Sequence, residues 1–170
     1  MKNNNFVLIT IFIAISIFEA CSFDNTHIKT EVSKAKTEQK ADSYYYYIIA
    51  HIEINEGRPD QAAGYLLKAV ECDPDSTYLK YELAILFIKL KKVKKALKMA
   101  EAILAVEPEN INMLLIAGNL QHRLNKTDET KKTFKKLIKI DPKQKDVYLS
   151  LGKLYANDKE FQKAFAVFEK

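Results

Sequence analysis

From Ser43 onward, apolar residues recur at intervals of three and four, the spacing that lines one face of an α-helix. Stretches 43–56, 60–72, 76–91, 93–106, 110–125, 127–140, 144–157 and 160–170 each carry such a face, and the pattern predicts a helix over each. Local chemistry marks the breaks. Glu56-Gly57-Arg58-Pro59 is a turn with proline entering the next helix, where its missing N–H costs nothing. Thr127, after Asn125-Lys126, is placed to cap the sixth helix, and Asn157-Asp158 to cap the eighth. The remaining breaks hold Pro74, Pro108 and Pro142, each after an acidic residue (Asp73, Glu107, Asp141) and each 34 residues from the next. Proline restricts the residue before it and cannot continue a hydrogen-bonded turn, so the preceding helix stops there.

With each proline near the end of a unit, the chain divides into 43–76, 77–110, 111–144 and an incomplete 145–170. Small residues then fall into register: Ala50, Ala84, Gly118 and Gly152 on the first helix, and Ala62, Ala96, Thr130 and Ala164 on the second. Two antiparallel helices can cross closely only where side chains are small. Ile49, Leu83, Ala117 and Leu151 share a neighbouring position, as do Leu66, Ala100, Phe134 and Phe168, while Ala69, Ile103 and Leu137 continue the second-helix seam. An aromatic leads units one and four (Tyr46, Tyr148), and a later aromatic marks units two and four (Phe87, Tyr155). This joint register resembles the tetratricopeptide repeat family, whose period is 34 residues. Unit three matches least. The resemblance implies an all-α, right-handed α-solenoid of antiparallel helix pairs, about three and a half units long, in which stacking buries the face that no unit can bury alone. Because the sequence ends inside the second helix of unit four, we expect either a short last helix docked on a partner or, preferably, the front of a longer array.

The resemblance also implies a concave groove lined by first helices. By register its candidate residues are Tyr44, Tyr47, His51 and Asn55 in unit one, then Tyr78, Tyr81, Ile85 and Lys89 in unit two. Asn112, Leu115, Asn119, Arg123, Leu149, Lys153 and Asn157 continue the set. Tyrosine with Asn, Lys and Arg suits an extended peptide, offering aromatic area together with donors for its backbone. In the Tyr44–Tyr47 run adjacent residues point to different faces, so some belong to the core. The lysine and asparagine of the family's carboxylate clamp are replaced by Tyr47 and His51, which disfavours recognition of a chaperone's acidic C-terminus.

The first residues follow another pattern. After Lys2, residues 6–18 are apolar apart from Thr10 and Ser16. As a helix this run would span about 20 Å, short of the roughly 30 Å hydrocarbon core, and Glu19 blocks its extension. It reads as the n- and h-regions of an export signal over residues 1–20. Phe18-Glu19-Ala20-Cys21 resembles the bacterial lipobox, with Phe18 and Glu19 departing from its usual residues. The resemblance implies that Cys21 carries a lipid anchor as the first mature residue; an ordinary cleaved signal and an uncleaved anchor are the alternatives. Residues 21–42 read as a polar tether, or in part, near Glu31–Lys40, as an extension of the first helix. Ser22 after the cysteine points, by the enteric rule, to the outer membrane facing the periplasm.

Composition adds limits. The 48% hydrophobic and 29% charged content excludes a disordered chain and a polytopic membrane protein. The net charge of +5 comes from lysines at Lys89–Lys98 and Lys126–Lys139, assigned to turns and the solvent face of second helices. Contact with anionic lipid or an acidic polysaccharide is the sharper reading of those lysines; nucleic acid is not expected, since aromatic residues do not interleave them. Cys72 is expected to be a buried reduced thiol, with a Cys21–Cys72 disulfide as the alternative. His27, His51 and His122 are isolated, and no phosphate loop or nucleophile elbow is present, so neither metal, cofactor nor catalysis is expected. The sequence thus describes a scaffold anchored in the bacterial cell envelope, serving secretion, pilus or polysaccharide-export assembly. The alternative is the recognition arm of a longer enzyme.

Overall fold

The computed structural model describes residues 30–31, 33–34 and 37–170. The chain divides between Asp42 and Ser43. Before that division the described residues are helical. Cys21 and the export signal lie outside the described residues.

From Ser43 on, the chain is all-α. Helix α1 (residues 43–55) is followed by α2 (Pro59–Cys72), α3 (Thr77–Lys89), α4 (Val93–Val106), α5 (Ile111–Arg123), α6 (Thr127–Ile140), α7 (Lys145–Asn157) and α8 (Phe161–Phe168). From α2 on, these bounds fall within two residues of those predicted from periodicity. From α2 on, each helix packs mainly on its neighbours in sequence, closest in the hairpins α3/α4, α5/α6 and α7/α8. That one-dimensional stacking is an α-solenoid.

Both kinds of turn repeat. Each first helix closes with a left-handed residue at the same register position: Gly57, Lys91, Asn125 and Lys159, with φ between 57° and 73°. The next N–H reaches back five residues (Arg58 to the Glu53 carbonyl, Lys92 to Phe87, Lys126 to Gln121, Glu160 to Tyr155), a Schellman closure. Gly57 adopts this conformation without penalty, whereas lysine at 91 and 159 costs about 1 kcal/mol. Because the second helix starts straight out of this closure, its first turn needs no side-chain cap. Thr127 and Asn157-Asp158 are therefore not caps: α6 and α8 begin after Lys126 and Glu160, neither of which makes a capping bond. Caps appear instead at the proline turns. Ser76 Oγ accepts from Leu79 N at 3.3 Å and Asn110 Oδ1 from Met113 N at 3.0 Å. The acid before each later proline braces the turn: Asn110 Nδ2 donates to Glu107 at 2.7 Å, and Gln144 Nε2 to Asp141 at 2.7 Å. These bonds hold both carboxyl groups below their ordinary pKa.

The small residues sit where predicted. Ala50, Ala84, Gly118 and Gly152 are buried on first helices, and Ala62, Ala96, Thr130 and Ala164 on second helices. Thr130 fits because its hydroxyl donates to the Lys126 carbonyl at 2.7 Å. One apolar cluster runs from α1 to α5 and a second from α5 to α8, with Leu104 packed against both.

Two further expectations fail. Cys72 is a half-buried rather than buried thiol. Lys131, assigned to the solvent face, is buried: its ammonium lies 2.5 Å from Asp158, 2.6 Å from Glu160 and 4.8 Å from the Tyr155 ring centroid. It stands where units one and two carry Ala63 and Leu97, on the side of the second helix that meets the next unit. The stem fills the apolar place while the head reaches the acids of the α7–α8 turn.

Candidate functional site

The first helices α1, α3, α5 and α7 carry the groove candidates at matching positions, and none of these residues is buried. Tyr44, Tyr78, Tyr81 and Leu149 are exposed, as are Asn55, Lys89, Asn112, Asn119, Arg123, Lys153 and Asn157. Tyr47, His51, Ile85 and Leu115 are half-buried.

Three of them meet. The hydroxyls of Tyr47 on α1 and Tyr78 on α3 are hydrogen-bonded at 2.7 Å, with ring centroids 5.8 Å apart. His51, one turn along α1, stacks at a tilt on Tyr47 with centroids 4.4 Å apart. The hydrogen bond to Tyr78, helped by burial, pushes the Tyr47 phenol up to about 12, so Tyr47 keeps its proton at any physiological pH. The imidazole is left incomplete: among the described residues, His51 Nε2 is the one buried side-chain polar atom with no hydrogen-bond partner. An unpaired buried polar group costs roughly 1–3 kcal/mol. Here the imidazole rests on the Tyr47 ring, and Tyr47 in turn bonds Tyr78, so the three side chains form one aromatic cluster on the first-helix face.

The Tyr47–Tyr78 contact also fixes how adjacent first helices face each other. It joins the fifth position of one unit to the second position of the next, so the same 34-residue step sets Tyr81 toward Asn112. The remaining candidates follow this register without a recorded contact between them.

The tyrosine run is more open than expected. Tyr44 and Tyr45 are exposed, and Tyr46 and Tyr47 only half-buried. Tyr46 faces α2, its ring 5.4 Å from Lys68 Nζ, and Tyr45 lies edge-on to Tyr46 with centroids 5.4 Å apart. At the other end, Leu149 lines a recess of about 640 Å³ with Pro142, Tyr148, Phe168 and lysines 143, 145 and 170. Sequence reasoning named Leu149 there but missed the basic rim, because its lysines come from a turn and from the last residue of the chain. Among the described residues no three His, Cys, Asp or Glu side chains gather closely enough to hold a metal ion, and no helix is long and apolar enough to cross a membrane.

Comparison with known proteins agrees with this geometry. Two models of the tetratricopeptide repeat family match, over residues 53–120 and 111–144, together more than half of the chain. Among curated proteins, the protein O-mannosyl-transferase TMTC3 of Homo sapiens is 24% identical over 128 residues. That match takes in 75% of this chain but only 14% of the relative's length. The structure of MamA from Desulfovibrio magneticus RS-1 superposes with a TM-score of 0.63 at 20% identity, covering 76% of this chain and 73% of that one. YrrB, described as a TPR protein with an unusual peptide-binding site, gives 0.63 at 20% identity, covering 81% and 71%. At these identities the likeness to the two structures is one of fold.

Proposed function

We propose a function from this premise: the chain belongs to the tetratricopeptide repeat family and is a protein–protein interaction scaffold. Its first-helix face holds an extended peptide segment of a partner protein, centred on Tyr47, His51 and Tyr78. The Tyr47–Tyr78–His51 cluster, with Tyr44 and Tyr81 exposed on the same first helices, carries this reading. A peptide backbone supplies both a donor and an acceptor at every residue, and aromatic walls bury its flanking side chains at little entropic cost. The peptide-binding site that YrrB's description reports supports the same use of the fold. Exposed Asn112, Asn119, Arg123, Lys153 and Asn157 extend the face with further donors.

The scaffold works in the bacterial cell envelope, held by a lipid on Cys21 at the outer membrane and facing the periplasm, where it joins a secretion, pilus or polysaccharide-export assembly. The support is in the sequence: a short apolar run too brief to span a bilayer, then a small residue and cysteine. The exposed lysines 94, 95, 98, 132, 135, 136 and 139 suit anionic headgroups or an acidic polysaccharide. We assign the chain no catalytic step, cofactor or nucleic-acid partner.

Two measurements check this reading. Immobilised chain should retain partners from solubilised membranes, with at least roughly tenfold less retained by Tyr47→Ala or Tyr78→Ala and no loss for Phe161→Ala on the last helix. Retention unchanged in both tyrosine variants overturns the groove. In cells fed a fatty-acid probe, the wild-type chain should be labelled and Cys21→Ala should not; an unlabelled wild type, or label that survives the substitution, overturns the anchor.

A further inference from the structure

The first-helix face is not uniform across its width. Residues four apart on a helix lie on one face, and along that face the units sort by chemistry. One row, Tyr47, Tyr81, Leu115 and Leu149, is aromatic or aliphatic in every unit, and none of the four is buried. The row Asn55, Lys89, Arg123 and Asn157, eight residues further along each helix and so about 12 Å away, is polar in every unit and exposed throughout. Between them, Asn119 and Lys153 are exposed and His51 and Ile85 half-buried. None of these three rows holds a carboxylate. Among the described residues Lys89, Arg123 and Lys153 enter no ion pair, whereas Lys92, Lys126, Lys131 and Lys163 each hold an acid. The acids near this face lie on its other side: Asp146 precedes the apolar row on α7, and Glu82 stands close enough to Tyr47 to help raise its phenol. A cation near a helix C-terminus is favoured by the backbone alone; a continuous apolar row beside it is not.

We propose that the groove selects an extended segment in which apolar and acidic side chains alternate, the apolar set packed along Tyr47, Tyr81, Leu115 and Leu149 and the acidic set facing Lys89, Arg123 and Lys153. This deepens the peptide-binding reading above and rests on it. Successive side chains of an extended chain point to opposite sides. Laid across the first helices, such a chain turns one set toward the apolar row and the other toward the cations, with its backbone over the row between, where the Asn119 amide can donate and accept. With neighbouring first helices roughly 10 Å apart and a rise of about 3.3 Å per residue, the path from α1 to α7 takes about nine residues. An acidic tail without alternation gains only the cations, and an apolar strand without acids leaves them unpaired.

The probe is a fluorescein-labelled, end-capped Leu-Asp-Leu-Asp-Leu-Asp-Leu-Asp-Leu peptide, titrated with the full chain in mild non-ionic detergent against a detergent blank and read by anisotropy. The same residues in two blocks, and the alternating peptide with lysine for aspartate, should each bind at least roughly tenfold more weakly. Lys89→Glu combined with Arg123→Glu should weaken the alternating peptide by a similar factor and leave helical circular dichroism unchanged, since both side chains are exposed. Added salt should narrow the difference between the two proteins. An alternating peptide that does not bind, that binds no better than the blocks, or that ignores the charge reversal overturns the inference. Retention of membrane partners separates this from the groove itself. Retention that depends on Tyr47 and Tyr78 but is untouched by the charge reversal overturns the alternation and leaves the groove standing, whereas retention that ignores the tyrosines removes both.

Discussion

Gly118→Ala lowers the stability of the array by about 1–3 kcal/mol, the usual cost of forcing volume into a packed core. A Cβ built at Gly118 falls well inside contact distance of the Phe134 ring, which is itself buried, so neither side can give way without moving α5 from α6. The register explains the tightness. Where the first helix carries Ala50 or Ala84, the facing second-helix residue is Leu66 or Ala100; where it carries Gly118 or Gly152, the facing residue is Phe134 or Phe168. Ring volume on one helix is matched by the missing methyl on the other. Phe134→Ala should cost about 3–5 kcal/mol by leaving a cavity. The double variant Gly118→Ala/Phe134→Ala should be more stable than the two single losses added together, by at least about 1 kcal/mol of coupling. Urea titration followed by circular dichroism measures all four proteins. Strict additivity would show that the ring and the glycine do not share one space.

Asp158→Asn combined with Glu160→Gln should lower the unfolding midpoint by roughly 5 °C, whereas Lys131→Met should leave it nearly unchanged. Removing the acids strands a buried ammonium, while replacing the lysine removes the charge and keeps the stem, an asymmetry common to buried ion pairs. The pH dependence follows from the same contact. Hydrogen bonds from Lys131 and then Lys163 pull the Glu160 carboxyl from 4.5 to about 2. A depressed carboxyl stabilises the fold above its unfolded pKa, so this contribution is complete above about 4.5 and fades as the pH falls toward 2. The same two acids raise Lys131 above the ordinary lysine value of 10.5, so its share is complete below that value and fades only well above it. Thermal melts from pH 5 to 2.5 should fall more steeply for wild type than for Lys131→Met. Parallel curves would remove Lys131 from the acid response.

The contrast between Lys131 and its neighbours shows why part of the molecule was hard to read. Lysines 132, 135, 136 and 139 are exposed as their charge suggests. Lys131 differs only in standing on the side of α6 that the next unit covers, and amino-acid type alone pointed to solvent. Comparison with Ala63 and Leu97 at the same position would have found it. The missed caps have a similar origin: Thr127 has good capping chemistry, but the Schellman closure at Asn125 delivers the chain into α6 by backbone bonds alone. The tyrosines were legible as a set. Which of them touch was not, because Tyr47 and Tyr78 lie 31 residues apart and meet only when two units stack.

Sequence by itself determined the helices, their breaks, the 34-residue register and the places for small side chains, because these depend on local propensity, on proline and on the volume allowed where helices cross. Tertiary structure decided which lysine is buried, which two tyrosines share a hydrogen bond and which histidine nitrogen is left unpaired. Those outcomes depend on one unit lying against the next, and a periodic sequence writes the same positions into every unit without saying which will have a neighbour.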